Sequence, residues 1–271
     1  MATGIERKTC QAPDGVTIGY SVVGKGEPAL LFVHGAMADR SFYDSQLQAL
    51  SDRWRVIAVD LAGHGESGVN RTTWGIREFG ADVKAVADAE GLKRLVVFGN
   101  SLGGPVAVEA ALLLPGRAVG VVGIDTFQDL GQAASLEYRR AADEYYHKRA
   151  ESFRADYPVA LREMVRMLFH PDADPNLVAE VERRMLRTPA PVAAATLDSL
   201  PGYDQEAAVR KLNVPLRSIT GDLFPTDLQK ARAVTPDFDV IVMKHIGHYP
   251  MLERPGEFNR HVAEMVARLA R

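Results

Sequence analysis

The sequence predicts an α/β fold, with a mostly parallel eight-stranded sheet and a helical cap inserted after the sixth strand. Short apolar runs alternate with segments of helical periodicity over residues 29–125 and again from residue 214 onward. This alternation is typical of a parallel sheet covered by helices. Residues 132–200 between these regions are helix-forming and contain no β-like run, and they are too many for one crossover helix. We therefore expect them to lie over the carboxyl ends of the strands.

The strands are expected at the apolar runs. Residues 5–12 and 16–22 flank the turn sequence Pro13-Asp14-Gly15 and are predicted to form an antiparallel hairpin at the sheet edge. The run at residues 29–33 is apolar throughout, as in strands that are buried on both faces. The other strands are predicted at residues 55–59, 94–98, 119–125, 214–220 and 238–243.

Helices are expected between the strands. They are predicted at residues 41–50, 76–91 and 102–114, and an amphipathic helix that contains Phe258 and Leu269 closes the chain. The cap is assigned to residues 128–205, and the core to residues 1–127 and 206–271. Breaks in the helical stretch are expected at Pro158, His170-Pro171, Pro175, Pro189 and Pro191. Four apolar cap residues are predicted to roof a pocket: Met164, Met167, Leu168 and Phe169.

Composition limits the function classes. The 271 residues are 46% hydrophobic and carry a formal net charge of −3, which argues against a nucleic-acid or anionic-membrane partner. Cys10 is the single cysteine, so an intrachain disulfide or a thiolate metal cluster is excluded. No targeting or membrane-spanning segment is recognisable. We expect a cytoplasmic protein, with a possible homodimer, that acts on a small-molecule substrate without a metal or cofactor.

The segment Gly99-Asn100-Ser101-Leu102-Gly103 is predicted to be a nucleophile site. It joins an apolar strand to a helix, and a serine on such a tight turn is held exposed at the carboxyl edge of the sheet. The flanking glycines allow the strand and the helix to pack closely. We therefore expect Ser101 to be a catalytic nucleophile, with the amide of Leu102 beneath the developing oxyanion.

A serine nucleophile needs a base, an acid and a second oxyanion donor. His248, in the loop after the last strand, is the candidate base, and the amide of Ala36 is the candidate second donor. Asp125 ends a central strand and is a candidate for the acid that orients the imidazole. The glycine-rich loop at residues 60–68 fits no phosphate-binding spacing and is predicted to be a turn that contains His64. His34, His170 and His245 are also predicted to be structural.

Together these motifs resemble the α/β-hydrolase superfamily, in its serine-nucleophile branch with a helical cap. The resemblance covers nearly the whole chain and rests on His34-Gly35, residues 60–67, residues 99–104, Gly247-His248-Tyr249-Pro250 and Glu253-Arg254-Pro255. It implies an α/β-hydrolase fold and a catalytic triad. Serine at position 101 argues against the dehalogenase and epoxide hydrolase branches, whose nucleophile is a carboxylate.

The triad acid departs from the common pattern of this superfamily. Many members carry it three residues after a glycine that follows the second-last strand, but Phe224 occupies that position here. A second known placement, at the end of the strand after the nucleophile helix, is filled by Asp125. We favour Asp125, with Asp222 as the alternative acid and Asp227 and Asp129 behind them.

The resemblance leaves more than one function open. Hydrolysis of a small carboxylic ester or lactone through an acyl-enzyme is the broader expectation. Asn100 beside the nucleophile is similar to carbon–carbon bond hydrolases of aromatic ring-cleavage products, although the oxyanion segment His34-Gly35-Ala36-Met37 is shorter than theirs. A third alternative is a non-hydrolytic, ligand-binding member of the fold.

Overall fold

The computed structural model describes residues 4–132 and 135–269, and the strands in this part of the chain form one sheet. They are β1 (Glu6–Gln11), β2 (Thr17–Val23), β3 (Ala29–Val33), β4 (Val56–Val59), β5 (Leu95–Asn100), β6 (Ala118–Ile124), β7 (Leu216–Thr220) and β8 (Asp239–Val242). Their order across the sheet is β1-β2-β4-β3-β5-β6-β7-β8. β2 is antiparallel to β1 and β4, and the other pairs are parallel. The predicted eight-stranded, mostly parallel α/β fold is confirmed.

The helices pack on both faces of this sheet. They are α1 (Asp44–Leu50), α2 (Ile76–Ala89), α3 (Gly103–Leu112), α4 (Leu136–Met167), α5 (Pro175–Met185), α6 (Ala190–Asp198), α7 (Gln205–Val209), α8 (Leu228–Val234), α9 (Pro250–Glu253) and α10 (Pro255–Leu269). A 3-10 turn, Arg40–Tyr43, precedes α1 within the segment predicted as one helix. Among the helices described, none combines the length and the apolar character needed to span a bilayer.

The central strands divide the core into two layers. Leu31 and Val33 of β3 pack with α2 and α3 on one face, and Leu30 and Phe32 pack with α1 and α10 on the other. Successive side chains of a strand point to opposite faces, so a strand covered on both sides must be apolar at every position. This explains why β3 is an unbroken apolar run, and it leaves the carboxyl edge of the sheet to carry the polar residues.

Helices α4 to α7 lie between β6 and β7. The expected break at Pro158 is a kink within α4, where Asp156 has non-helical angles (φ −154°, ψ 88°) and its side chain accepts a hydrogen bond from the Val159 amide. Proline is tolerated near the start of a helix, so the second half of α4 begins anew at this kink. The division into a core (1–127, 206–271) and a cap (128–205) stays a prediction.

Candidate active site

Ser101 lies at the turn between β5 and α3. Its φ of 52° is in the left-handed region, where a residue with a side chain is strained. A Cβ on Gly99 would collide with the carbonyl of Gly103, and a Cβ on Gly103 would collide with the carbonyl of Val33. Only glycine fits at these two positions, and the close packing holds Ser101 on the wall of a cavity.

The imidazole of His248 is paired with the carboxylate of Asp125. Nδ1 of His248 lies 2.6 Å from Oδ2 of Asp125. Because a carboxylate only accepts hydrogen bonds, Nδ1 carries the proton in this pair, and Nε2 is left to accept one. Both residues line the same cavity as Ser101. The structure therefore brings the candidate nucleophile, base and acid together at the carboxyl edge of the sheet.

The other oxygen of the Asp125 carboxylate is held by β7. Its Oδ1 accepts hydrogen bonds from the Thr220 hydroxyl (2.5 Å) and from the Gly221 amide (3.0 Å). The residue is buried, and its φ of 45° is again in the left-handed region. Together with the His248 contact, these two donors fix the orientation of the carboxylate. Sequence reasoning missed the part played by Thr220, because only the parallel pairing of β6 with β7 brings it to Asp125.

Asp222, the alternative acid, contacts a different histidine. Its Oδ1 lies 3.0 Å from Nε2 of His170 and accepts hydrogen bonds from the amides of His245 and Ile246. These contacts lower the pKa of Asp222, the His245 amide most strongly. In the part of the chain that the structure describes, Asp222 makes no hydrogen bond to His248. It joins the α4–α5 connection to the loop that carries His248.

The remaining acid candidates also form their hydrogen bonds with groups other than His248. Asp227 accepts hydrogen bonds from two amides at the start of α8. Asp129 accepts one from the hydroxyl of Tyr138. At the common family position, the ring of Phe224 packs edge-on against His248, with 6.3 Å between the ring centroids. Of the four aspartates considered, the described contacts bring only Asp125 to the imidazole.

The two candidate oxyanion donors, Ala36 and Leu102, line the cavity beside Ser101. Within residues 4–132 and 135–269, neither of their amides donates a hydrogen bond to the protein. Leu102 is at the start of α3, where backbone N–H groups are free and the helix dipole favours negative charge. Met37, next to Ala36, has a φ of 59°. Two free amides in a strained turn and at a helix start suit an oxyanion.

A buried pair of histidines supports the loop that carries Ala36 and Met37. His64 Nε2 accepts the Met37 amide and its Nδ1 donates to the Ala62 carbonyl, while His34 Nε2 accepts the Leu61 amide. Burial lowers the pKa of both imidazoles, that of His64 to about 3. Both rings are therefore neutral at physiological pH and act as hydrogen-bond bridges.

The side chain of Asn100 is directed into the protein. Its Nδ2 donates to the carbonyl of Ile124 (2.9 Å) and to that of His248 (3.1 Å). Its Oδ1 is buried and lacks a partner among the described residues. Asn100 thus ties β5 to the end of β6 and to the loop that carries the candidate base.

The cavity has a volume of about 640 Å³. Met164 and Leu168 line it, as expected for the predicted roof. The other two predicted roof residues lie elsewhere: Met167 is 51% exposed, and Phe169 is buried against Tyr249 with 5.5 Å between ring centroids. The predicted roof is therefore too broad, because α4 ends at Met167 and the residues after it no longer follow helical spacing.

Residues 30–261 match the model of the Alpha/beta hydrolase family. The chain belongs to this family. The match covers the turn at Ser101, the loop that carries His248 and all strands from β4 to β8. The sequence-based assignment to the superfamily is thereby confirmed.

The relatives of this α/β hydrolase are named for different activities. It is 24% identical to 3-oxoadipate enol-lactonase 2 of Acinetobacter baylyi, over 97% of each chain. It is 32% identical to the dihydrolipoyllysine-residue acetyltransferase component of the acetoin cleaving system of Cupriavidus necator, over 40% of this chain and 29% of that protein. The first curated relatives are matched over about half of their own length or less.

A solved structure with a similar fold is a thermophilic esterase from Thermogutta terrifontis. The two superpose with a TM-score of 0.82 and 25% sequence identity, over 98% of this chain and 99% of the esterase. The similarity thus extends through the sheet and through the helices between β6 and β7.

Proposed function

We propose that this α/β hydrolase is a serine hydrolase that cleaves a carboxylic ester or a lactone through an acyl-enzyme. The observation that carries the proposal is the 2.6 Å contact between His248 and Asp125 in a cavity that Ser101 also lines. The strained turn at Ser101 supports it, because strain that persists at a cavity wall is characteristic of a functional site. The relatives named as an esterase and an enol-lactonase agree with this class of bond.

In the proposed reaction, His248 Nε2 takes the hydroxyl proton while Oγ of Ser101 bonds to the carbonyl carbon. The amides of Ala36 and Leu102 stabilise the negative charge on the carbonyl oxygen. Asp125 holds the imidazole in the required tautomer and stabilises its cation. The leaving alcohol takes the proton from His248 as the carbon–oxygen bond breaks. Water, activated by the same imidazole, then releases the acid and regenerates Ser101.

The test is covalent labelling combined with a substrate panel. A fluorophosphonate probe is expected to label Ser101, and Ser101→Ala is expected to lose both labelling and more than about 10³-fold of turnover on p-nitrophenyl esters. Ser152→Ala is the matched control, because Ser152 lies on α4 and its hydroxyl donates to the Arg149 carbonyl. Labelling and turnover that persist in Ser101→Ala would refute the proposal.

The panel also separates the alternatives. Aromatic ring-cleavage products are included beside esters and lactones. Turnover confined to those products would replace ester hydrolysis with carbon–carbon bond hydrolysis. Absence of labelling and of turnover on every substrate, in protein with a normal melting transition, would favour a non-hydrolytic member of the fold.

A further inference from the structure

The α4 side of the cavity is rich in tyrosine. Tyr138, Tyr145 and Tyr146 of α4 line it, together with Tyr203 from the connection before α7. The faces of tyrosine rings attract cations, and aromatic cages of this kind recognise quaternary ammonium groups. A purely apolar acyl pocket would not need four phenol rings.

A carboxylate lies among these rings without a cationic partner. Asp129 lines the cavity and is half-buried, with Oδ2 accepting the Tyr138 hydroxyl (3.1 Å) and Oδ1 accepting the Gln205 side-chain amide (3.3 Å). Across residues 4–132 and 135–269, no lysine, arginine or histidine forms an ion pair with it. A partly buried charge that is held only by neutral donors is incompletely compensated. A cation that enters the cavity would complete the compensation of the Asp129 charge.

Tyr146 lies close enough to Asp129 to be affected by its charge. Burial, and then the Asp129 carboxylate, raise the pKa of Tyr146 to about 12, so its ring is neutral at physiological pH. Its hydroxyl forms no hydrogen bond with any described residue. The hydroxyl of Tyr146 is therefore available to a ligand, and its ring lines the cavity while packing edge-on against Tyr145, with 5.4 Å between the ring centroids.

The arginines of the cavity wall do not neutralise Asp129. The Arg149 guanidinium lies over the ring of Tyr145, 5.4 Å from its centroid, and donates to the Tyr145 hydroxyl (3.3 Å). Arg139 is exposed and forms no ion pair with a described residue. One tyrosine of the wall thus already binds a cation of the protein, whereas no described cation lies over the ring of Tyr138 or Tyr146.

We propose that the cavity binds an ammonium group of the substrate, with Asp129 as its counter-ion and the rings of Tyr138 and Tyr146 as its flanks. The inference rests on the proposed function in that the ammonium group belongs to the ester that Ser101 attacks. It names the substrate class as an ester or lactone with a positively charged amine away from the scissile carbonyl. Esters that carry a carboxylate at that place are disfavoured by the charge of Asp129.

The first test measures binding without turnover. Choline and its neutral isostere 3,3-dimethylbutan-1-ol are titrated into the protein by calorimetry. Choline is expected to bind at least about 10-fold more tightly. Asp129→Asn is expected to bring the two affinities within about threefold, and Asp129→Glu to restore part of the difference. Equal affinities in the unmodified protein would overturn the proposal.

Asp143→Asn is the matched control variant. Asp143 lines the same cavity, but it is exposed and forms no ion pair with a described residue. The variant removes the same charge and is expected to keep most of the preference for choline. A loss as large as that in Asp129→Asn would show a general field effect and would overturn the assignment to Asp129.

The second test compares kcat/KM for choline butanoate and 3,3-dimethylbutyl butanoate. The charged ester is expected to be preferred at least about 10-fold, and the ratio to fall toward one in Asp129→Asn. Preferential choline binding without hydrolysis of either ester would contradict the proposed function and support the ammonium site. Hydrolysis of both esters at equal kcat/KM, with equal binding, would support the function and overturn the site.

Discussion

Replacing Asp125 with asparagine is expected to lower kcat by several orders of magnitude, for a reason visible in the contacts of Asp125. Asp125 Oδ1 accepts from the Gly221 amide, and Oδ2 accepts from His248 Nδ1. An asparagine has one acceptor oxygen for these two sides. The Gly221 amide can only donate, so the asparagine oxygen faces Gly221 and the NH₂ group faces His248. The imidazole must then accept at Nδ1 and carry its proton on Nε2.

The imidazole in that tautomer cannot take the proton of Ser101. The expected loss is about 10⁴-fold in kcat, the size known for the same change in the chymotrypsin-type triad. This corresponds to about 5.5 kcal/mol in the activation barrier. The opposite amide orientation would leave His248 intact but set two donors against each other at Gly221, at a cost of about 1–3 kcal/mol. The reversed orientation is therefore the minor one.

The assay compares Asp125→Asn with Asp222→Asn, using p-nitrophenyl acetate and a melting curve for each protein. Asp222→Asn removes the same charge from a neighbouring strand end, but its contacts are to His170 and two backbone amides. Its kcat is expected to fall less than about 10-fold. Near-normal turnover in Asp125→Asn beside an inactive Asp222→Asn would refute the reasoning and move the acid to the later loop.

Two further predictions concern stability and specificity. Burial lowers the pKa of His64 to about 3, so His64 binds no proton in the folded state at pH 5. In the unfolded chain, the same imidazole binds a proton below a pH of about 6.5. Its contribution is complete above pH 6.5 and is lost as the pH falls, by about 2 kcal/mol at pH 5. Urea unfolding at pH 7.5 and 5.0 should show a larger loss of unfolding free energy at pH 5.0 in the unmodified protein than in His64→Gln. The surface control His147→Gln should lose as much as the unmodified protein. An equal loss in His64→Gln would contradict the prediction. Met164→Ala, which enlarges the cavity, should raise kcat/KM for longer acyl chains by up to about fourfold per added CH₂. The control Met167→Ala removes an exposed side chain and should leave the dependence of kcat/KM on chain length unchanged.

The fold was predictable because its central strands, β3, β4 and β5, are buried on both faces. Leu30 and Leu31 pack into opposite layers of the core, so every position of β3 had to be apolar and the run stood out from the helical segments around it. The turn at Ser101 was equally predictable, because the close approach of the backbone requires its glycines. Where steric exclusion allows only one residue type at a position, that residue in the sequence predicts the local structure.

The choice of acid was harder because it depends on where a loop places His248. Asp125 and Asp222 both follow strand ends, on neighbouring strands, and either pattern is compatible with a triad. The difference arises from contacts made across the chain, such as Asn100 to the His248 carbonyl and Asp222 to the His245 amide. Similarly, Pro158 predicts a break in α4, but the backbone angles that Asp156 adopts at this kink have no local signature in the sequence.

In the proposed mechanism, the position of the acid, Asp125, directly after β6 also accounts for the residue at the common acid position. A carboxylate at residue 224, beside that of Asp125, would place two like charges near one imidazole, and one of them would tend to take up a proton. Phe224 avoids this, and its ring covers an edge of His248 at the cavity wall. Asp222 is then free to anchor the backbone of the loop. Orientation of the imidazole and anchoring of its loop are thus carried by separate carboxylates, so we expect their removal to affect turnover and stability differently.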